Sequence, residues 1–68
     1  MINDIYEKVV FFFSKRITVH IQKNNGQFYN GLILEHSDKH LILHDRVVND
    51  VIIFFSEITK LEPFKEKG

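Results

Sequence analysis

The chain has no cysteine and no tryptophan, and only one proline and three glycines, in 68 residues. Without cysteine there are no disulfides and no thiolate metal cage, two of the devices that hold very small domains together. The lack also suits a reducing compartment. Long hydrophobic runs are missing too. Val9–Phe13, the longest apolar stretch near the start, falls far short of the ~20 residues that span a bilayer. Asp4 and Glu7 are at odds with the cationic opening of a signal peptide. The expectation is a cytoplasmic chain with no membrane partner. Charge of one sign is absent as well, because nine Lys and Arg offset nine Asp and Glu. A dedicated nucleic-acid module normally carries a clear basic excess. Any such contact here must rest on a local patch, or on one concentrated by symmetry. Nor is there a nucleophile elbow, a glycine-rich phosphate loop or a recognisable carboxylate pair. An enzyme is not expected, and neither is a cofactor or a small-molecule substrate.

The composition that remains is globular: 44% hydrophobic, 26% charged, with seven phenylalanines. The length allows one domain, placed at residues 1–63 with a short flexible tail at 64–68. A domain this small buries only ~60% of the surface its unfolded chain exposes. With neither disulfide nor metal, oligomerisation is the remaining route to stability, and large aromatics suit either a core or an interface.

Residues 2–14 have helical period. Ile2, Ile5, Tyr6, Val9 and Phe13 form one stripe, with Asn3 as the N-cap, Asp4 in the first turn and Lys15 and Arg16 at the end, matching the helix dipole. Phe11 projects from the polar side and is read as a frayed helix end. The period then becomes two. Strands are predicted at about 16–23, 27–35, 40–45, 50–55 and 58–62. Asn24-Asn25-Gly26 marks a hairpin with a type I′ turn. Gly31 marks a bulge or sharp bend in the long second strand, the way a small sheet curls into a barrel. Ser37-Asp38-Lys39 and Ser56-Glu57 are turns, and Pro63 ends the last strand. The fold class is therefore mainly β: an N-terminal helix, then a strongly bent, five-stranded antiparallel sheet forming a small open barrel. The fourth strand, Val51-Ile52-Ile53-Phe54-Phe55, is apolar on both faces. That pattern calls for cover on both sides, and with open sheet edges it points to a subunit interface.

Three of the four histidines, His36, His40 and His44, are spaced by four. A turn separates His36 from the strand that carries the other two, so they read as surface strand residues and no metal is assigned. Lys39 flanked by His36 and His40 offers a cation and flat rings, a workable single-strand site, against the plain alternative of a polar turn. Phe54 and Phe55 read as packing residues before base-stacking ones.

The helix-then-five-strands order, the Gly26-x₄-Gly31 pair with Tyr29 and Ile33, then Leu41, Leu43 and Asp45, and the apolar strand followed by Ile58, Leu61 and Pro63 resemble the Sm/LSm family. The resemblance runs from about residue 4 to residue 63. It implies a homo-oligomeric ring, hexamer or heptamer, in which the fourth strand pairs with the fifth strand of the neighbour. It also implies single-stranded RNA, U- or A-rich, bound by two loops at the pore. Carried onto this chain, the RNA-binding candidates are His36, Ser37, Asp38, Lys39, His40 and Ser56. The interface candidates are Val51, Ile52, Ile53, Phe54, Phe55, Ile58 and Leu61. The chain departs from the family at the base-reading positions. The family's aspartate falls on Ser37 and its asparagine on Leu41 or His40, and no cation stands near 54–56. The alternative is a homomeric or heteromeric assembly module with no RNA function.

Overall fold

A computed structural model describes residues 4–65. The elements run α1 (Asp4–Lys15), β1 (Val19–Lys23), β2 (Phe28–His36), β3 (His40–Asp45), β4 (Asn49–Phe54), a single 3₁₀ turn (Phe55–Glu57) and β5 (Ile58–Pro63). The sheet is antiparallel throughout, in the order β4-β3-β2-β1-β5. It bends without closing, so β4 and β5 are its two free edges.

α1 carries Asp4 and Glu7 in its first turn and Lys15 in its last, each favourable to the dipole. Ile5, Val9 and Phe12 face the sheet. The stripe predicted through Tyr6 and Phe13 is thus rotated: both are partly exposed (38% each), and Phe12 takes the buried position. Tyr6 and Phe13 instead flank the helix–sheet seam, edge-on to His36 at 6.0 and 5.0 Å. Phe11 stays exposed. Ile2 and the N-cap assigned to Asn3 lie outside the described residues. The helix ends in a Schellman motif, with Ile17 N–H donating to Phe12 O at 3.0 Å and Arg16 N–H to Phe13 O at 3.2 Å. Arg16 holds the left-handed conformation (φ 54°) that this motif requires. Residues 16–18 are used up by this termination, so β1 starts at Val19, three residues later than its predicted start.

The first hairpin is not type I′. That turn needs positive φ at both central residues, and neither Asn24 nor Asn25 has it. Gly26 N–H donates to Lys23 O, Lys23 N–H to Gln27 O, and Gly26 alone is left-handed (φ 89°). This is a three-residue loop with a glycine bulge. The bend of β2 likewise falls beyond Gly31. Leu34 is the extra residue between the pairs Ile33–Leu43 and Glu35–Ile42. Gly31 has a different role: a Cβ there would run into the His44 backbone carbonyl, so glycine lets β3 lie close.

The core is Val9 and Phe12 from α1, Phe55 from the 3₁₀ turn, and the inward-facing strand residues Val19, Ile21, Ile33, Leu41, Leu43, Ile53 and Leu61. One carboxylate joins them. Asp45, 6% exposed, opens the β3–β4 turn. Its Oδ1 accepts from Asn30 N–H at 2.8 Å, and its Oδ2 from Val47 and Val48 N–H at 2.8 and 3.0 Å. Burial pushes its pKa up. The three backbone donors and the nearby His44 outweigh burial and hold it below the ordinary carboxylate value. Phe64, placed by the sequence in a loose tail, is tied down. Its N–H donates to Thr18 O at 2.8 Å, and the Arg46 guanidinium sits 5.6 Å from its ring centroid. The residues beyond Lys65 lie outside the described range.

Candidate nucleic-acid interface

The loop between β2 and β3 is shaped by one residue. Ser37 N–H donates to His40 O at 2.8 Å. The Ser37 hydroxyl oxygen accepts from Lys39 N–H at 3.1 Å and His40 N–H at 3.2 Å, and it lies 2.9 Å from His40 Nδ1. The loop is joined to the β4–β5 turn by Phe55 N–H, which donates to Lys39 O at 2.9 Å. Two segments sixteen residues apart in sequence (39 and 55) therefore share one shallow pocket, lined by Asp38, Lys39, Phe54, Phe55 and Ser56. Phe54 is 49% exposed and tilts against His40 with ring centroids 5.7 Å apart. From the other side, Glu57 fixes the turn. Its carboxylate accepts from Phe54 N–H at 3.4 Å and pairs with Lys23 Nζ at 3.5 Å, while its carbonyl accepts from Asn24 N–H at 2.8 Å.

Of the six RNA-binding candidates, Asp38, Lys39 and Ser56 line this pocket, and Ser37 and His40 build the loop beside it. His36 is drawn away. It closes β2 against α1, between Tyr6 and Phe13, and its Nδ1 is buried with no hydrogen-bond partner. The charge at the pocket is balanced, since Lys39 stands next to Asp38. Among the described residues no three His, Cys, Asp or Glu come together as a metal-ligand group. No helix of the described chain is long and apolar enough to cross a membrane.

The seven interface candidates separate by face. Ile53, Phe55 and Leu61 are core residues, and Val51 and Ile58 pack partly against the core. The strand that read as apolar on both sides spends its inward side on the barrel's own interior. Ile52 (59% exposed) and Phe54 remain outward on the β4 edge. Ile52 lies opposite Ile42, and Phe54 opposite His40.

A second aromatic–polar cluster was not foreseen from the sequence. On the β1–β2 hairpin His20 Nδ1 is 2.6 Å from Asn30 Oδ1, and the His20 ring is 5.6 Å from that of Phe28. Phe28 is 62% exposed. Only the register, His20 opposite Asn30 and Gln22 opposite Phe28, brings the three together. The role of Asp45, named in the sequence only as part of the resemblance, was missed for a similar reason: its three donors come from two separate segments.

No family model matches the sequence, and no curated protein matches it. Among solved structures, the pleiotropic translational regulator Hfq superposes with a TM-score of 0.75. The match covers 87% of this chain and 97% of that one, at 19% identity. Identity that low leaves side-chain chemistry unassigned, but the helix, the strand order and the bent, open sheet coincide, and the chain has the Sm-like fold.

Proposed function

We propose that the protein is a ring-forming Sm-like subunit that binds single-stranded RNA in the pocket between Ser37–His40 and Phe54–Ser56. The observation that carries this is the bond from Phe55 N–H to Lys39 O. It holds an exposed ring (Phe54), a cation (Lys39) and a hydroxyl (Ser56) at one pocket. Stacking, phosphate pairing and hydrogen bonding are what a single-strand site requires. The ring rests on the two free edges. β4 presents unpaired backbone with Ile52 outward, and β5 presents a second unpaired backbone of the same sheet. A β4-to-β5 pairing between copies would satisfy both and add the buried area that so small a chain lacks. Localisation to the cytoplasm follows from the same reading.

Because Lys39 is the only cation lining the pocket, each subunit neutralises about one phosphate. The logarithm of affinity should then fall with log salt at a slope of roughly −0.7 per engaged subunit. The test is native mass spectrometry with and without a U-rich oligonucleotide, followed by a salt titration. A multiple of the 8.1 kDa chain that shifts on adding RNA supports the proposal. A monomer overturns the ring. A ring with no RNA bound at low salt leaves a protein-assembly module, the reading favoured by zero net charge and by Asp38 beside Lys39.

A further inference from the structure

The β2–β3 loop contains an arrangement that fixes the chemistry of one side chain. A serine hydroxyl has one hydrogen to give and two lone pairs to receive with. Ser37 Oγ already receives Lys39 N–H (3.1 Å) and His40 N–H (3.2 Å), so both lone pairs are in use. Its third neighbour, His40 Nδ1 at 2.9 Å, can then only accept the hydroxyl hydrogen. An imidazole that accepts at Nδ1 is neutral and carries its proton on Nε2.

We infer that Ser37 is a positioning residue that locks His40 as the Nε2–H tautomer, and that His40 thereby serves the RNA site as a hydrogen-bond donor. This rests on the RNA reading of the pocket. His40 stands against Phe54, the exposed ring of that pocket, so a base stacked on Phe54 lies beside the imidazole. The charged neighbours are Lys39 and Asp38 on the loop itself, and β4 contributes only the uncharged Phe54 opposite. With its tautomer fixed, His40 gives its Nε2–H to an acceptor on the RNA, without the cost of selecting between two tautomers. One serine thus sets both the loop's backbone and the donor beside it.

The experiment combines nitrogen-15 NMR of the His40 ring with oligouridine affinity, on the full chain and three variants. The free wild-type protein is expected to show Nδ1 unprotonated and Nε2 protonated. Ser37→Ala should mix the tautomers and weaken oligouridine by about twofold, the share of the donor tautomer lost. Ser37→Thr should restore both signals. His40→Phe keeps the ring and both backbone donors to Ser37 but lacks Nε2–H, and should lose about five- to tenfold, one hydrogen bond's worth. Nδ1–H in the wild type overturns the tautomer assignment. If Ser37→Ala is weak and His40→Phe binds normally, only loop shape matters and His40 is no donor. Wild-type protein with the assigned tautomer but no oligouridine binding at low salt overturns the RNA reading and, with it, this role for His40.

Discussion

Replacing Asp45 by asparagine keeps the shape of the side chain and removes one acceptor oxygen. In the native turn Oδ2 takes Val47 and Val48 N–H, and Oδ1 takes Asn30 N–H. An asparagine amide oxygen serves one set only. In either orientation the new NH₂ faces at least one backbone N–H, donor against donor. Hydrogen bonds to a charged partner contribute about 1.5–3 kcal/mol each, and a stranded buried donor costs a similar amount. The expected loss is about 2–3 kcal/mol at pH 7, which for a domain of this size is a fall in melting temperature of roughly 10 °C or more. The pH dependence has a definite sign. The folded-state pKa of Asp45 lies below the ordinary aspartate value. Its contribution is therefore fully present above the unfolded value and is lost as pH falls through the folded one. Thermal melts followed by circular dichroism at pH 7 and near pH 2 should show the wild type and Asp45→Asn far apart at neutral pH and converging in acid. Other carboxylates titrate equally in both proteins and drop out of the difference. A variant melting within about 2 °C of wild type at pH 7 would refute the hydrogen-bond account. A gap of constant size across pH would refute the ionic part.

Three further perturbations follow from the backbone and the sheet edge. Arg16→Gly should stabilise by about 1 kcal/mol, since glycine takes the left-handed helix-end position without the Cβ conflict; urea denaturation showing a loss would refute the Schellman assignment. Gly31→Ala should abolish folding or cost at least ~3 kcal/mol, because the added Cβ meets immovable strand backbone; a near-wild-type melt would mean that β3 does not lie as close as described. Ile52→Asp should give a folded monomer by light scattering, whereas Ile53→Asp, with its side chain fully buried, should give unfolded chain; an Ile52→Asp protein that keeps its oligomeric mass would remove the β4 edge from assembly.

The pattern of elements was legible because it rests on local periodicity. The switch from period 3.6 to period two near residue 16 gave one helix and five strands, and alternation gave most of the core. The errors came where periodicity is silent. Choosing Phe13 over Phe12 for the buried stripe is a matter of helix roll. A rotation of a fraction of a turn exchanges them, and it is set by how α1 meets β2. The turn at Asn24–Gly26 carries the residues of a type I′ hairpin, yet the loop closes with one more residue, because Lys23 pairs with Gln27. The two-sided apolar pattern of β4 predicted cover on both faces but could not say which face the chain covers for itself.

The sequence alone determined the order of elements, the alternation that puts Ile21, Leu41 and Leu43 inside, the neutral charge, and the need for glycine at 26. These depend on interactions within a few residues, or on composition. Only the tertiary structure decided which polar groups meet. Phe55 N–H on Lys39 O, Asp45 on three backbone donors from two segments, His20 beside Asn30 and Phe28, and the withdrawal of His36 to α1 all depend on register and on the bend at Leu34. A hydrogen bond is directional and is lost over less than an ångström. Hydrophobic burial depends only on which side of the strand a residue occupies, which is why the core could be read from the sequence and the candidate site only in part.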